Sequence, residues 1–495
     1  MTDNVLYYGD NLDVMRRYIA DESIDLVYLD PPFNSNATYN VLFAEKSGQD
    51  APAQIKAFED TWHWDQGAEA SYWDVLEQGG TAAIALKAMR DLLGQNDMMA
   101  YLSMMTPRLL ELRRIIKSTG SVYLHCDQTA SHYLKVVMDA VFDKRNFQNE
   151  IVWSYRSGGA SPNRFSKKHD VLLTYSKSGH RYFEALHERS YNRENKPYRF
   201  KGVTEYEDEA GHWYTMPFMR DVWEIPMVGR TSAERLGYPT QKPIALLERV
   251  IESSCPDDGV VLDPFCGCGT TIDAAQKFGV NWIGIDITHL AVGLIKTRLA
   301  DSYGLDIAGT YSVVGEPADL DGAQELAATD PFQFQAWSLG LVGARVAGSD
   351  KKGGDKGIDG RLFFQDDASG TAKQVVFSVK AGHLMPAFVD QLHGVLEKEH
   401  AALRVLISMN DPTRGMRATA AAAGKYDSGW GLSYPKIQLL TIAELLDGRT
   451  VDMPPIRQVS TTFKRAPSRQ KDVVIQPSLL MVAEESEDYE PSDSG

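Results

Sequence analysis

The amino-acid sequence predicts an α/β protein with a mostly parallel main sheet and a second, smaller α/β unit after it. Three observations support this class. Short apolar runs alternate with segments of helical periodicity over the first 300 residues. A glycine-rich turn separates a predicted strand at 259–263 from a predicted helix at 270–278. The same alternation resumes at residue 331, after a stretch rich in Ala, Gly and Asp.

The apolar run at 24–29 (IDLVYL) ends at Asp30-Pro31-Pro32-Phe33. It predicts a buried strand that enters a loop, because proline cannot donate to a strand ladder. Helical periodicity covers 97–118, after which SVYLHCD predicts a further strand. Pro243 is expected in the first turn of a helix over 243–254. The other predicted elements are strands at 150–153, 171–175 and 280–286 and, in the second unit, a helix from 331, strands at 361–364, 374–379, 403–408 and 437–441, and a helix near 387–402.

The composition bounds the class of protein. The chain has 495 residues, 43% hydrophobic and 24% charged, which excludes collagen-like and wholly disordered classes. It has no run of about 18 apolar residues and no N-terminal signal-peptide pattern. Four cysteines do not make a disulfide framework at this length, so a cytoplasmic location is expected. The P-loop sequence G-x-x-x-x-G-K followed by Ser or Thr is absent, so no use of ATP is expected.

The formal net charge of −16 argues, taken alone, against a nucleic-acid partner. The charge is unevenly distributed, however. Residues 151–201 hold eleven Lys or Arg and only four acids, and nine aromatic residues are interleaved with them. A basic, aromatic stretch suits a nucleic-acid backbone with unstacked bases, although a solvated surface with core aromatics would have the same composition. Six acids and no base in 481–495 predict a disordered acidic tail.

Two motifs contain residues that could bind a ligand or take part in a reaction. In VVLDPFCGCGTT, glycines between a strand and a helix let the backbone approach a ligand closely, and Asp286 follows Gly269 by seventeen residues. An acid at that distance can bind the ribose hydroxyls of an adenosine cofactor. In Asp30-Pro31-Pro32-Phe33, a carboxylate beside an outward carbonyl can accept both hydrogens of an exocyclic amino group, and the ring can stack on a flipped base. Plain turns are the alternative for each motif alone.

Together, FCGCG with Asp286 and the earlier DPPF resemble the S-adenosylmethionine-dependent DNA amino-methyltransferases. DPPF precedes the glycine motif, which resembles the permuted motif order of the β class. GDNLDVM near the start and YPTQKPIALL at 238–247 are also similar to segments of this family, and NEIVW and HDVLLTYSKS resemble type III modification subunits. The resemblance covers about residues 4–300 and implies a Rossmann-like methyltransferase sheet.

The resemblance implies roles for individual residues. Asp30 and the Pro31 carbonyl would accept from the target amino group, Pro32 would hold the loop, and Phe33 would stack on the extruded base. Asp before Pro-Pro resembles the adenine-N6 branch, while N4-cytosine relatives more often have Ser; cytosine stays an alternative, and RNA is a more distant one. The implied cofactor-binding residues are Asp10, Thr240, Gln241, Lys242, Asp263, Phe265, Gly267, Gly269, Thr270 and Asp286.

A second resemblance covers about 331–448. GGDKGIDG and, on the next strand, Phe377-Ser378-Val379-Lys380 are similar to the Mrr-like branch of the PD-(D/E)xK nucleases. This implies an Mg²⁺ ligand at Asp359, an ammonium at Lys380 and a contribution from Gln335. Ser378 stands where the family usually has Glu or Gln, and a hydroxyl is a poorer Mg²⁺ ligand. A module that binds DNA or a partner without cutting is therefore the alternative.

The expected organisation is a methyltransferase domain at 1–302, a linker at 303–330, an Mrr-like nuclease domain at 331–448 and a largely disordered acidic tail at 449–495. Within the first domain, 154–235 is expected to recognise the target, and the insertion at 36–96 is either a DNA-facing lid or an ordinary packed insertion. The expected partner is double-stranded DNA, with no membrane; a homodimer is left open. Restriction–modification is the expected biological setting.

Overall fold

The computed structural model describes residues 4–32, 63–156, 161–229, 231–236, 238, 240–346, 358–364, 366, 373–429, 431–454 and 466–467. The strands are β1 (Asn4–Tyr8), β2 (Ile24–Leu29), β3 (Ile116–Cys126), β4 (Phe147–Ser154), β5 (His169–Ser176), β6 (Ser190–Tyr191), β7 (Tyr206–Glu207), β8 (Trp213–Thr215), β9 (Val222–Glu224), β10 (Val260–Asp263), β11 (Asn281–Asp286), β12 (Tyr311–Val314), β13 (Arg345–Val346), β14 (Gly360–Phe364), β15 (Lys373–Lys380), β16 (Leu403–Ser408), β17 (Lys425–Asp427), β18 (Ser433–Pro435) and β19 (Ile437–Thr441).

The helices are α1 (Asn11–Tyr18), α2 (Gln66–Gln78), α3 (Gly80–Leu93), α4 (Asp97–Ile115), α5 (Ser131–Phe142), α6 (Ile244–Ser254), α7 (Thr270–Phe278), α8 (His289–Tyr303), α9 (Leu320–Thr329), α10 (Pro331–Leu341), α11 (Ala387–Glu399), α12 (Arg414–Ala422) and α13 (Ile442–Leu446). Local sequence explains several of their ends. Asp10 caps α1 and Asn96 caps α4 through their side chains. Asp330 caps α10, whose first residue is Pro331.

A nine-stranded sheet has the order β12-β1-β11-β10-β2-β3-β5-β4-β9. Its pairs are parallel from β12 to β3, antiparallel at β3–β5 and β5–β4, and parallel again at β4–β9. Every residue of β2 and β10 is buried, as expected for parallel strands covered on both faces. The predicted α/β class with a mostly parallel main sheet is confirmed.

Helices cover both faces of this sheet. Val14 and Leu112, from α1 and α4, belong to the apolar layer on one face. Leu246 and Ile295, from α6 and α8, belong to the layer on the other. The two motif strands β2 and β10 are direct neighbours, with Val27 opposite Leu262. Their carboxyl ends therefore lie at the same sheet edge, although the motifs are far apart in the chain.

A second sheet follows, with the order β13-β14-β15-β16-β19. Its first two pairs are antiparallel and its last two are parallel. Phe334 and Trp337 of α10 pack against one face. Val389 of α11 and Met416 of α12 pack against the other. Within the expected recognition region, β6, β8 and β7 form a small antiparallel sheet in that order.

The prediction of a linker at 303–330 is wrong. Residues Leu305–Thr310 form a 3₁₀ turn, β12 pairs with β1 at the edge of the large sheet, and α9 leads directly into α10. Composition misled here because many of these Ala and Gly residues lie within regular elements and their turns, although only Ala323 among them is fully buried.

Smaller corrections concern element ends. The helix predicted over 97–118 stops at Ile115, because Ile116 pairs with Ile24 and starts β3. Pro243 precedes α6 as its N-cap and is not in the first turn. Part of the predicted disordered tail is packed: Val451 joins the core of the second sheet, and Ala466 contacts the first part of the molecule. Most other residues of the tail lie outside the described residues.

Within the described ranges, no helix combines the length and apolarity needed to cross a membrane. The four cysteines are free and buried. In the described part of the 36–96 insertion, α2 and α3 pack into the core through Tyr72 and Leu86. This favours an ordinary packed insertion for that part, while 36–62 lies outside the described residues.

Candidate functional site

A cavity of about 770 Å³ opens at the carboxyl ends of β1, β2, β10 and β11. It brings together the two halves of the predicted site. The predicted residues that line it are Asp10, Asp30, Pro31, Pro32, Thr240, Gln241, Lys242, Asp263, Phe265, Gly267, Thr270 and Asp286. Gly269 is not among its lining residues, and Phe33 lies outside the described residues.

Asp30 follows β2 and has two different carboxylate oxygens. Oδ2 accepts from the Lys242 ammonium in an ion pair that is mostly shielded from solvent. Oδ1 is buried and has no hydrogen-bond partner among the described residues. A buried acceptor without a partner is costly unless a ligand satisfies it. Oδ2 of Asp30 is thus paired, whereas Oδ1 keeps an unused acceptor position, and Asp30 lines the cavity.

The glycine turn lies directly beside this carboxylate. Gly267 has a positive φ of 48°, and its N–H donates to Asp286 Oδ2 at 2.9 Å. Gly269 has a φ of 73° and caps α7. A Cβ on Gly269 would lie 2.7 Å from Ile295, so this glycine allows α7 and α8 to pack closely. Gly267 lines the cavity; Gly269, predicted to bind the cofactor, supports the helix that bounds it.

Asp286 holds the loop that starts α8. Its Oδ1 accepts from both the N–H and the hydroxyl of Thr288 at 2.9 Å. Burial raises the pKa of Asp286 to about 6, and burial raises the pKa of Asp263 to about 7. Asp263 accepts from the Thr271 hydroxyl and from the N–H of Phe265. A cationic or hydroxyl-bearing ligand would find acceptors here that water scarcely screens.

Asp10 is tied to its surroundings. Its Oδ1 accepts from Leu12 N at 2.9 Å, and its Oδ2 accepts from Arg108 Nη2 at 2.6 Å. Arg108 Nε also donates to Asn11, whose amide donates to the Pro264 carbonyl at 2.8 Å. Burial lowers the pKa of Arg108. This chain of contacts joins the loop after β1 to the glycine turn, a structural role that the sequence did not reveal.

The segment Thr240-Gln241-Lys242 forms one wall of the cavity. The Gln241 amide accepts from Leu236 N at 2.8 Å and donates to the Glu234 carbonyl, so it holds its own loop. The Thr270 hydroxyl lies 3.4 Å from the Lys242 carbonyl and accepts from Arg298. Lys242, predicted to bind the cofactor, contacts Asp30 in the loop after β2.

Sequence reasoning missed a cluster behind the Asp30 side of the cavity. It consists of Tyr28, His125, Trp153, Tyr155 and Asp170, and all but the fully buried His125 line the cavity. A signal was present: His125 lies in SVYLHCD at the carboxyl end of a predicted parallel strand, where functional side chains of open sheets gather.

The predicted nuclease residues also come together. Asp359 Oδ2 accepts from Val379 N at 2.6 Å and from the Ser378 hydroxyl at 3.1 Å. Lys380 Nζ lies 3.7 Å from the same oxygen, and Gln335 Nε2 approaches the Asp359 carbonyl at 3.4 Å. In the described part of the chain, no group of three or more His, Cys, Asp or Glu residues could hold a metal.

This donor set does not fit Mg²⁺. The ion prefers several oxygen ligands in octahedral geometry, including one or two carboxylates that are free to bind it. Here Asp359 supplies the carboxylate, and its Oδ2 already accepts from Val379 N and from the Ser378 hydroxyl and lies 3.7 Å from the Lys380 ammonium.

The expected recognition region exposes aromatic side chains beside basic ones. Phe165 is fully exposed, and Phe200 and Phe218 are more than half exposed. The Arg189 guanidinium lies over the Tyr214 ring at 4.4 Å, and Arg181 lies over Phe183 at the same distance. The interleaved basic and aromatic residues therefore form a surface, at least in these places, and not a core.

Comparison with known proteins gives the family. The DNA methylase family (N6_N4_Mtase) matches residues 24–297, more than half of the chain, and the chain belongs to this family. The match includes β2 with Asp30 and the glycine turn with Asp286.

Among similar proteins, the type II methyltransferase M.ScaI of Streptomyces caespitosus is 35% identical over 168 residues, which cover 32% of this chain and 54% of that protein. The Mod subunit of the type III restriction-modification enzyme StyLTI from Salmonella typhimurium is 24% identical over 349 residues, with 55% and 50% covered. This chain spans about half the length of both relatives. DNA adenine methyltransferase YhdJ of Escherichia coli is 23% identical over 305 residues, with 61% and 85% covered.

Among solved structures, TTHA0409 of Thermus thermophilus in complex with S-adenosyl-L-methionine is similar at a TM-score of 0.33 and 18% identity. The alignment covers 63% of this chain and 100% of that one.

Proposed function

We propose that the protein transfers a methyl group from S-adenosylmethionine to the N6 amino group of adenine in double-stranded DNA. One observation carries the proposal: Asp30, whose Oδ1 is buried without a hydrogen-bond partner among the described residues, lines the same cavity as Gly267 and Asp286. An oxygen so placed is an acceptor for an amino group. The family to which the chain belongs supports the class of reaction.

The cavity residues fit the cofactor. Asp263 is a buried acceptor and Asp286 a partly buried one, and their raised pKa values fall when a positive charge or hydroxyl donors arrive. Gly267, with its positive φ, lets a ligand approach the backbone where a side chain would block it. When bound, S-adenosylmethionine supplies an electrophilic methyl group on a sulfonium.

The chain's own residues then orient the nucleophile. Asp30 Oδ1 accepts a hydrogen bond from the exocyclic amino group, and the Lys242 ammonium holds the carboxylate in place from its other side. Positioning of this kind contributes much of the rate enhancement in displacement reactions. We assign Pro31 the second acceptor, through its carbonyl, and Phe33 the stacking ring.

Adenine is proposed over cytosine on two grounds. Asp, not Ser, precedes Pro31-Pro32, and a relative whose alignment covers 85% of its own length is named a DNA adenine methyltransferase. N4-cytosine is the alternative product, and the two are chemically distinct after digestion of the DNA.

The test is transfer of labelled methyl groups from S-adenosylmethionine to duplex DNA, followed by mass spectrometry of the nucleosides. We expect N6-methyladenine from the wild type. Asp30→Ala should lose at least about 10³-fold in rate while its affinity for S-adenosylmethionine stays close to that of the wild type. Asp13→Ala, an exposed acid of α1, is the control.

Label in N4-methylcytosine would show that cytosine, not adenine, is the target base. Label in no base of DNA would overturn the proposal. Loss of cofactor binding in Asp30→Ala would show that Asp30 belongs to the cofactor site. Sequencing the methylome of a host that expresses the protein would give the recognition sequence and show whether it suits a restriction–modification system. Four free, buried cysteines suit a reducing cytoplasm, where we place the reaction.

For the C-terminal unit we propose binding of DNA or a partner without cleavage. The occupied Asp359 carboxylate and the neutral Ser378 carry this choice, since neither is a good Mg²⁺ ligand as placed. A cleavage assay with Mg²⁺ on methylated and unmethylated DNA tests it. If the protein cuts DNA and Asp359→Ala abolishes the cutting, the unit is a nuclease. If neither methylated nor unmethylated DNA is cut, the result agrees with a binding module.

A further inference from the structure

His125 lies close to Asp30 Oδ1, the oxygen that we assign to the target amino group. It lies at the carboxyl end of β3, the neighbour of β2, and its side chain is fully buried. Its Nδ1 is 4.0 Å from Asp30 Oδ1 and 2.8 Å from the Tyr28 hydroxyl. On the other side of the ring, Nε2 is 3.5 Å from Asp170 Oδ2. The imidazole therefore lies between two carboxylates.

The neighbours define how the ring is protonated at rest. Burial raises the pKa of Tyr28 well above its usual value, so its hydroxyl keeps its proton. A carboxylate can only accept, so the tautomer that suits both neighbours carries the ring's proton on Nε2, 3.5 Å from Asp170 Oδ2, and accepts from the Tyr28 hydroxyl at Nδ1. In this tautomer Nδ1, the nitrogen nearest Asp30, is the basic one.

Asp170 is an ionised counter-charge. Burial alone would raise its pKa, but the contact with His125 and the charge of Lys242 hold that pKa below its usual value. The Tyr155 hydroxyl also donates to Asp170 at 3.3 Å. The groups that face the cluster from its surrounding elements are Tyr28, Asp30, Tyr155, Asp170, Lys242 and, in the cavity wall after β3, Asp127.

Methylation of an amino group releases one proton. The new N–C bond forms as the donor's S–C bond breaks, the electron pair of that bond stays on sulfur, and the nitrogen must then lose one N–H proton. Asp30 Oδ1 is the first acceptor, but a carboxylic acid there would have to lose its proton again before another turnover. The nearest base behind it is Nδ1 of His125.

We propose that His125 takes the released proton from Asp30, and that Asp170 stabilises the resulting imidazolium. This inference rests on the proposed methyltransferase function. The O–H bond on Asp30 breaks as an N–H bond forms at Nδ1, which requires the two atoms to approach by roughly 1 Å to reach hydrogen-bond length. The Tyr28 hydroxyl turns so that its oxygen accepts from the new N–H.

The consequence is a specific pH dependence. If His125 is protonated before the reaction, it cannot accept the proton, so the single-turnover rate falls on the acid side. Removing the Asp170 charge makes the imidazolium harder to form, and the acid limb should then move to lower pH while the maximal rate falls. A merely structural histidine would change the rate without moving this limb.

The experiment is single-turnover methyl transfer to duplex DNA between about pH 5.5 and 9, at saturating S-adenosylmethionine. We expect a wild-type acid limb that is absent in His125→Gln, together with a loss of about 10²-fold in the maximal rate. Asp170→Asn should shift the limb to lower pH, and Tyr28→Phe should lower the rate without abolishing the limb. Calorimetric binding of S-adenosylmethionine should stay within a few-fold of wild type in all three.

Tyr175→Phe is the matched control, since it removes a buried tyrosine hydroxyl that donates to Asp139 elsewhere in the sheet. It should keep the wild-type pH profile. If His125→Gln does not fold, the limb shift in Asp170→Asn decides the question. A wild-type enzyme whose profile is shared by folded His125→Gln and Asp170→Asn overturns the relay alone. A wild type that methylates no DNA overturns the proposed function and the relay with it.

Discussion

At the scale of single residues, the Asp30 carboxylate is divided between two tasks. Lys242 occupies Oδ2, and Oδ1 remains buried and unpartnered among the described residues. The lysine comes from the segment just before α6, so the loop after β2 is held by the other half of the chain. Lys242 was predicted as a cofactor ligand; from its contact with Asp30 we propose that it also orients the acceptor.

The two roles of Lys242 separate kinetically. We expect Lys242→Met to lower kcat about tenfold to a hundredfold, because it leaves the Asp30 carboxylate buried without its counter-charge. The Kd for S-adenosylmethionine should change much less. Steady-state kinetics and calorimetry measure both quantities, with Lys277→Met, which breaks a more exposed pair with Glu248, as the control. A raised Kd with unchanged kcat would instead show that Lys242 binds the cofactor.

The buried Asp263 predicts a pH-dependent stability. Its pKa is raised by burial from 3.8 to about 7, so its contribution to stability is fully present below about pH 4 and is lost as pH rises through 7. Asp263→Asn should therefore gain on the wild type in free energy of unfolding between pH 4 and 8, by roughly 4 kcal/mol at most.

Denaturant unfolding of both proteins at several pH values checks this. The exposed Asp258→Asn in the preceding loop should show a constant difference from the wild type. A constant difference for Asp263→Asn as well would contradict the expectation.

At the scale of elements, α7 begins and ends with a left-handed glycine. Gly269 at its N-terminus has a φ of 73° and Gly279 at its C-terminus has a φ of 69°. Their surroundings differ: a Cβ on Gly269 would meet Ile295 at 2.7 Å, while a Cβ on Gly279 would meet nothing within 4 Å. Substituting each of these two glycines therefore measures backbone strain alone at Gly279, and backbone strain plus a packing clash at Gly269.

We expect Gly279→Ala to cost about 1 kcal/mol in free energy of unfolding, from backbone strain alone. Gly269→Ala should cost about 2–4 kcal/mol, because α8 must also move away from the new methyl group. Denaturant unfolding measures both. Equal losses would mean that Ile295 yields freely and that the approach of α7 to α8 is not tight.

The sequence predicted those elements whose burial pattern is local. IDLVYL at 24–29 is observed as β2 with the same bounds, and the turn from β10 to α7 lies where the glycines indicated. The sequence-based prediction was wrong where residues distant in the chain determine the secondary structure. Ile116 continues a helical pattern but pairs with Ile24 of β2, and Tyr311–Val314 becomes a strand because β1 is beside it.

The candidate site was predictable to the same extent. Motif residues such as Asp30, Gly267 and Asp286 were identified from spacing, because they sit at strand ends that the pattern marks. The partners of Asp30 were not, since nothing local links Asp30 to Lys242, 212 residues away, or His125 to Asp170 on an antiparallel strand.

At the scale of the whole molecule, charge is organised by region. The net charge of −16 coexists with a basic, partly aromatic surface in the expected recognition region. DNA affinity is governed by the charges near the phosphates, so the total is a poor guide. The division into a methyltransferase domain and a C-terminal unit follows the two sheets, and we propose it without the linker.

We expect DNA affinity to fall steeply with salt despite the acidic composition. Substituting the exposed Arg164 or Lys167 by Gln should reduce the slope of log K against log salt by about 1 for each phosphate contact removed. Lys144→Gln, an exposed lysine outside the region, should leave the slope unchanged. Binding titrations between about 50 and 200 mM salt measure this. A flat response in the wild type would contradict the assignment of the region.

The strand order also has a consequence for how the chain folds during synthesis. β11 and β10 lie between β1 and β2, yet β10 begins at Val260 and β11 at Asn281, more than 250 residues after β1 begins at Asn4. At ordinary translation rates that delay is roughly 15 to 60 s. During it, β2 can pair with β3 on one side, while its other edge and both edges of β1 wait for partners. The nascent protein must therefore keep a gap two strands wide in its sheet. The segment that contains β10 and β11 fills that gap late in synthesis.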